Sequence, residues 1–244
     1  MEYFEARNVG SEFYVDYKLP SYFEEIIEEL DSGSRILDFG CGFGQTLYAI
    51  KHKSFSWKSY NGGGQDLSVF GIDINPKAIE HCLSRGIDAK VVENILEFFP
   101  TQKFDLIIST HCLEHIPKDM IVPILTHFKK HCLTDNGKLF IAVPNAQSHT
   151  GCYWAYEDFT HTTLFTAGSL IYVLKMAGFD DVKIIDQYAM SGSSGIKKII
   201  RKIFLKLYIF QYKFWNKITA SATHQPSPNV FSYEIKALAK SKNP

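Results

Sequence analysis

No Cys-x-x-Cys pair occurs in this chain of 244 residues, and its five cysteines, at 41, 82, 112, 132 and 152, are odd in number. That usage speaks against a zinc ribbon or a disulfide framework and fits reduced thiols in a cytoplasmic protein. Net charge is missing as well, since 26 basic side chains balance 26 acidic ones. A neutral total argues against a general nucleic-acid binder, so no nucleic-acid partner is expected. No apolar run approaches the roughly 18 residues that a membrane span needs. The first few residues carry acids, Glu2 and Glu5, and no apolar core of a signal peptide. Repeats, low-complexity tracts and an evident linker are absent too, which leaves a single α/β domain over residues 1–244 with a large core.

What is present is concentrated first in Ile36-Leu37-Asp38-Phe39-Gly40-Cys41-Gly42-Phe43-Gly44-Gln45. An apolar run, an acid and three alternate glycines read as a buried strand that breaks into a tight loop and enters a helix. Alternate glycines leave the backbone bare, so a ligand can lie against main-chain atoms where a Cβ would block it. The dinucleotide fingerprint G-x-G-x-x-G is not met, because Gln45 stands at the third glycine position and Gly44 comes one residue early. Asp38 would also set a carboxylate against a pyrophosphate, whereas a ligand with a cationic end suits it. A glycine turn that merely ends a strand is the alternative at this point.

An acid followed by G-x-G-x-G resembles the first motif of the class I S-adenosylmethionine-dependent methyltransferases. The resemblance implies that Asp38 faces the amino group of the methionine moiety and that Gly40, Gly42 and Gly44 pack against this cofactor. Gly71-Ile72-Asp73-Ile74-Asn75 resembles the second motif. Asp73, near the end of the second strand, is placed to accept hydrogen bonds from both ribose hydroxyls, with Ile74 beside it. A surface acid capping the Pro76 helix is the competing reading, although Asn75 already supplies a cap. Asn94 and Ile95 match the family's adenine-contacting pair, with Asn where Asp is common; its side-chain oxygen can still accept the bond. Phe104 to Ser109 fits the family's FDLI strand. Leu113-Glu114-His115 matches its LEH block, whose loop, from His111 onward, contributes to the cofactor and acceptor sites. His111-x-x-Glu114-His115 also spells the H-x-x-E-H of one class of zinc peptidases. Pro117 follows too soon for a long two-histidine helix, so no metal is expected.

Residues 145–165 crowd polar and aromatic side chains after the fifth strand and form the expected acceptor loop. The string from Glu157 to Thr166 resembles methyltransferases of bacterial polysaccharide and other glycan biosynthesis. Methyl transfer from a sulfonium needs alignment, at up to roughly 7–11 kcal/mol, and a positioned base, at about 10²–10⁴-fold. His161 is the expected base, Asp158 its helper, and His115 and His149 the reserves; a histidine that only braces the loop is the alternative for His161.

The resemblance implies a Rossmann-like, mostly parallel seven-stranded sheet with helices on both faces and its last strand antiparallel between the fifth and sixth. Residues 1–30 read as an N-terminal arm, either a packing segment or a lid, and a helix from Ser21 through Leu30. A glycine-rich insertion fills 54–65. Further strands are expected at 69–74, 88–92, 104–109, 138–143, 181–188 and 229–237, with a helix at 119–133 and a turn at 135–137. Residues 195–218 read as a basic helical insertion, or two short helices, containing Lys197, Lys198, Arg201, Lys202, Lys206, Lys213 and Lys217 and no acid. That segment is either a solvated face or an attractor for an anionic acceptor, nucleotide- or lipid-linked, or for an acidic membrane surface. The whole points to an O-methyltransferase acting on a surface glycan precursor, at a sugar hydroxyl or a phosphate- or phosphoramidate-type substituent. A methyltransferase for another small molecule and a cofactor-binding module without transfer are the alternatives. The sequence sets no oligomeric state.

Overall fold

The structure, a computed structural model, describes residues 7, 9–10, 17–52 and 66–241. Tyr3, Phe4, Phe13 and Tyr14 of the expected arm, and the insertion at 54–65, lie outside the described residues.

Short apolar runs dictate the strands. β1 (Arg35–Phe39), β2 (Ser68–Asp73) and β4 (Phe104–Thr110) bury successive residues and therefore both faces, as strands of a parallel sheet covered on two sides must. Together with β3 (Asp88–Val91), β5 (Leu133–Pro144), β6 (Asp181–Ile185) and β7 (Glu234–Lys240) they form one sheet in the order β3-β2-β1-β4-β5-β7-β6. β7 lies antiparallel between β5 and β6, and the other pairings are parallel. This is the sheet that the resemblance implied.

Helices α1 (Ser21–Glu28), α2 (45–52), α3 (Pro76–Ser84), α4 (Lys118–His127), α5 (Gly151–Glu157), α6 (Ala167–Met176) and α7 (Gly195–Ile218) follow in chain order. Alternation across the pleat splits the core into two layers. Leu37, Ile107, Leu139 and Ile141 pack on one side with Phe128 and Leu170. Ile36, Leu106, Ile108 and Phe140 pack on the other with Phe23 and Ile26 of α1.

Several boundaries differ from the sequence expectation, each for a local reason. The helix expected at 119–133 contains Pro123 and passes at Phe128–Cys132 into a wider π turn. The expected turn at 135–137 is absorbed into β5, where the pairing jumps from Phe104↔Leu133 to Leu106↔Lys138 and the residues between bulge out. β6 stops at Ile185 because Asp186 takes φ +43° and its carboxylate accepts the amides of Met190 and Ser191 at 2.7 and 2.9 Å. The last strand starts at Glu234, five residues after the expected Asn229. There the carbonyls of Val230 and Ser232 accept the side-chain amide of Asn145 at 2.7 and 2.8 Å instead of joining a ladder.

Asn145 is fully buried where β5 gives way to the acceptor loop, and its Oδ1 also accepts the Gln147 amide at 2.9 Å. Replacing it with Leu would orphan two carbonyls and one amide in the interior. Asn145→Leu should therefore lower the stability by roughly 1–3 kcal/mol. Urea unfolding should show this as a lower midpoint with an unchanged slope.

Candidate active site

Strand order reverses its winding between β1 and β4, and the crevice beyond their C-terminal ends is where parallel α/β sheets bind ligands. The glycine loop lies at that edge. The amides of Gly40 and Cys41 both donate to the Ile72 carbonyl, at 2.9 and 3.1 Å, which ties the end of β1 to β2. Gly40 holds φ +76° and Gly44 +75°; a Cβ on Gly40 would stand 2.5 Å from Cys112 Sγ, and one on Gly44 2.8 Å from Cys82 Sγ. Neither position can take a side chain.

Asp73 joins the two motifs. Its Oδ2 accepts the Gly42 amide and its Oδ1 the Asn75 amide, both at 2.9 Å. The α3 cap comes from Asn75, whose side chain accepts from Lys77 and Ala78, so Asp73 is not spent on capping. Ile74, next in the chain, is 70 % exposed, an apolar surface at the ligand edge. Ile95 is buried. Asn94 caps its own turn, Ile95–Glu97, accepting from Leu96 N at 3.1 Å and donating to Glu97 at 2.7 Å. An adenine contact at Asn94 has the second lone pair of Oδ1 and the second hydrogen of Nδ2 left to use.

Asp38 is 2 % exposed, and its Oδ1 has no hydrogen-bond partner among the described residues. Burial first, and then the charge of Asp73, push its carboxyl up to about 7. A buried carboxyl with an orphaned oxygen beside a second carboxylate favours a cation. Bare glycines against an orphaned acid fit the methionine end of S-adenosylmethionine, whose amino group is cationic.

Cys112, against which Gly40 abuts, leads into a single 3-10 turn, Leu113–His115. The H-x-x-E-H string is therefore never a helix with two histidines on one face. His111, at φ +51°, turns Nε2 toward Glu234 Oε2 at 3.1 Å and Nδ1 toward Glu114 Oε1 at 3.4 Å. Both ring nitrogens thus face carboxylates, and only the ring itself can touch a cofactor. Its side chain is 47 % accessible, yet burial is the largest single influence on its titration, as expected of a group lining a concavity. Burial acts to lower it; the close carboxylates of Glu114 and Glu234 together push it up to about 9. Burial likewise acts to raise Glu234, but His111 and Lys236 hold it below the usual carboxylate range.

The acceptor loop is fastened to this turn. The Glu114 carbonyl accepts the amides of Thr162 and Thr163 at 2.8 and 3.2 Å, and Thr162 Oγ1 lies 2.6 Å from the Ile116 carbonyl. Asp158, nearly buried, accepts the amide and hydroxyl of Thr160 at 3.0 and 2.6 Å. Having given its proton to Asp158, Thr160 Oγ1 accepts from His115 Nδ1–H at 2.8 Å. The Trp154 carbonyl accepts from His161 Nδ1–H at 2.7 Å. These bonds assign both rings the tautomer with its lone pair on Nε2. The rings meet edge to face, 4.7 Å apart. Burial, ahead of the neighbouring charges, keeps His115 below its ordinary pKa and hence neutral at pH 7.

Asp158 Oδ2 stands 3.9 Å from His161 Nε2, too far for a hydrogen bond, so Asp158 supports His161 through the backbone, its carbonyl accepting the His161 amide at 3.1 Å. Arg7 reaches the same loop, 3.8 Å from Asp158 Oδ2. His149 packs on Tyr208 of α7, so of the two reserve histidines His115 is the one beside His161. Glu234 and Lys236, whose charges meet at 3.0 Å, escaped the sequence reading as site residues. Their signal was two charges at alternate positions in the otherwise apolar run from Val230 to Ala239.

Residues 12–184 match the family model described as a methyltransferase domain. A solved S-adenosylmethionine-dependent methyltransferase from Archaeoglobus fulgidus superimposes with a TM-score of 0.59 at 20% identity, covering 98% of this chain and 97% of that one. Among curated proteins, ajmaline N-methyltransferase of Rauvolfia serpentina is 30% identical over 33% of this chain and 27% of its own length. Aklanonic acid methyltransferase DauC of Streptomyces sp. (strain C5) is 31% identical over 37% of this chain and 40% of its own. The likeness to both is thus confined to less than half of either protein. The family model, by contrast, spans most of the chain, and this protein belongs to the methyltransferase-domain family.

Proposed function

We propose that this protein transfers the methyl group of S-adenosylmethionine to an oxygen of a glycan precursor, at a sugar hydroxyl or a phosphate-type substituent. The observation that carries the transfer is the continuity of two half-sites. Gly40 abuts Cys112 on one side, and the Glu114 carbonyl holds the loop bearing His161 on the other. When bound, S-adenosylmethionine supplies a methyl carbon already activated on a sulfonium. Asp38 pairs with its ammonium, Asp73 accepts from the ribose hydroxyls, and Ile74 and Ile95 cover the adenine. On the acceptor side, His161 Nε2 takes the hydroxyl proton while the walls of the loop align the oxygen with the methyl carbon.

The narrower acceptor class rests on the likeness of the string from Glu157 to Thr166 to glycan methyltransferases, and on α7. Residues 205, 208, 209, 212 and 216 of α7 are its partly covered face, recurring at helical spacing. The opposite face exposes Ile196, Ile199, Ile203, Leu207, Phe210 and Phe214. Lysines flank this outward apolar stripe, and no acid occurs anywhere in the helix. A second copy would bring the same positive charge to the contact, so an anionic membrane surface is the occupant that fits. No helix among the described residues is long and apolar enough to cross a membrane. An acceptor carried on a lipid diphosphate meets both features. The names of the curated relatives, which methylate ajmaline and aklanonic acid, make a free small molecule the competing acceptor.

Four outcomes test this reading. Pairing with an ammonium favours ionised Asp38, so affinity for S-adenosylmethionine should be full above pH 7 and fall by up to about tenfold per unit below it. Calorimetry from pH 5.5 to 7.5 should show that slope in the wild type and none in Asp38→Asn; a flat wild-type profile refutes the assignment. His161→Ala should keep cofactor affinity and lower turnover by about 10²–10⁴-fold. Mass spectrometry of lipid-linked glycan intermediates, with the wild type and without it, should show one methylene gained; a gain only on free small molecules would move the acceptor to the competing class. For α7, sedimentation with phosphatidylglycerol vesicles should exceed that with phosphatidylcholine and weaken with salt. Lys206→Gln with Lys213→Gln should reduce it roughly 30-fold, at about 1 kcal/mol per lysine.

A further inference from the structure

One buried group has no place in that mechanism. Glu114 is 0 % exposed, and neither of its carboxylate oxygens receives a hydrogen bond from any of the described residues. A carboxylate taken out of water without donors is costly, and among the described residues the His111 ring, 3.4 Å away at Nδ1, is shared with a second carboxylate. Glu114, His111, Glu234, Lys236 and Asp186 form a chain of close contacts that begins and ends on a carboxylate. On its other side Glu114 faces the two imidazoles: the ligand atoms of Glu114, His115 and His161 all lie within 4.8 Å of one another.

We propose that Glu114, His115 and His161 bind a divalent transition-metal cation at the acceptor side of the site. The donor set decides the class of metal. Two imidazoles and one carboxylate suit zinc, manganese, iron or nickel, whereas magnesium and calcium prefer oxygen throughout. The supporting bonds are those of a built site. Each histidine gives its Nδ1–H to an oxygen, His161 to the Trp154 carbonyl and His115 to Thr160 Oγ1, which is itself anchored on Asp158. That is how ligating imidazoles are held with the Nε2 lone pair forward. Donors about 2.1 Å from a tetrahedral ion stand about 3.4 Å apart, so side-chain rotations of about an ångström close the set. These residues differ from the H-x-x-E-H string. His111 is turned to Glu234, and the third ligand comes from the acceptor loop, 46 positions beyond His115 in the sequence numbering.

Three protein ligands leave coordination positions open. An acceptor hydroxyl bound there loses its proton to water more readily, and the cation replaces His161 as the activator. The oxygen then forms its bond to the methyl carbon as the carbon–sulfur bond breaks; the electron pair of that bond stays on sulfur, which ends as a neutral thioether. No oxidant or reductant is involved. This inference rests on the methyl-transfer reading for its purpose, but not for its test.

The test is metal binding by the full chain, stripped with a chelator and titrated with Mn²⁺, Co²⁺, Zn²⁺ or Mg²⁺ alone, beside separate titration with S-adenosylmethionine. One equivalent of transition metal should bind, with Co²⁺ giving the visible spectrum of nitrogen and oxygen ligation, and Mg²⁺ should bind far more weakly. Glu114→Gln and His161→Ala should each weaken Mn²⁺ binding by about 10–100-fold or more, while affinity for S-adenosylmethionine stays within about twofold of the wild type. His161 lies on a loop, so its variant tests the site if Glu114→Gln fails to fold. Unaltered metal affinity in His161→Ala, a sulfur-ligated Co²⁺ spectrum, or no stoichiometric binding overturns the proposal. Absent binding of S-adenosylmethionine with intact metal binding would instead overturn the methyl-transfer reading alone.

Discussion

Two backbone amides, those of Thr162 and Thr163, converge on the carbonyl oxygen of Glu114, and the site depends on that junction. Glu114 sits in the turn after β4, on the crevice opened by the reversal of strand order; the threonines belong to the loop after β5. Without this junction the glycine loop would be half a site. With it, the side chains of the acceptor loop are referred to the same rigid edge that carries Asp38 and Asp73. Two backbone donors and a backbone acceptor make the link, and the Thr162 hydroxyl adds a bond to the Ile116 carbonyl, so the link does not call on the side chains of Asp158 or His161.

Charge is arranged around the same edge with unusual economy. Asp38 and Asp73 stand close enough for one to raise the other, and Asp38 keeps an orphaned oxygen. Glu114 is orphaned on both oxygens, and Glu234 shares its neutralisation between His111 and Lys236. Low local dielectric makes each such group costly unless a partner completes it. A ligand with a cationic end would complete the first pair, and a cation on the acceptor side would complete the second.

The glycine loop and Asp73 were legible in the sequence because their geometry is local. Asp38 through Gly44 is one strand end and one loop, and Asp73 is one strand end, so spacing along the chain is spacing in space. The acceptor half was only partly legible, for the converse reason. Spacing along the chain paired His111 with Glu114 and His115, but the single 3-10 turn and the acid at the head of β7 drew His111 away. His161, far along the chain, takes its place beside His115. Strand ends were misread wherever a side chain competes for the backbone. Asn145 takes the carbonyls that would have extended β7, and Asp186 takes the amides beyond β6. Such competition is invisible to a pattern that counts apolar residues.

α7 connects these local facts to the acceptor. Its inner residues Tyr208 and Tyr212 pack against Phe231, at 5.5 and 4.9 Å between ring centroids; Tyr208 also meets His149, at 5.0 Å, and Tyr212 meets Gln147. The helix is thus seated on the acceptor loop and on the segment that leads into β7, not on the glycine loop. A surface that attracts α7 brings the acceptor side of the crevice with it. For an acceptor tethered to that surface, encounter becomes a local event at an effective concentration set by the tether, not by the bulk solution. Few specific contacts are then needed for binding, and the acceptor loop can devote its buried polar groups to alignment. That division of labour fits a loop whose polar side chains, Thr160, His161 and Thr162, are each held by neighbouring carbonyls or carboxylates before any ligand arrives.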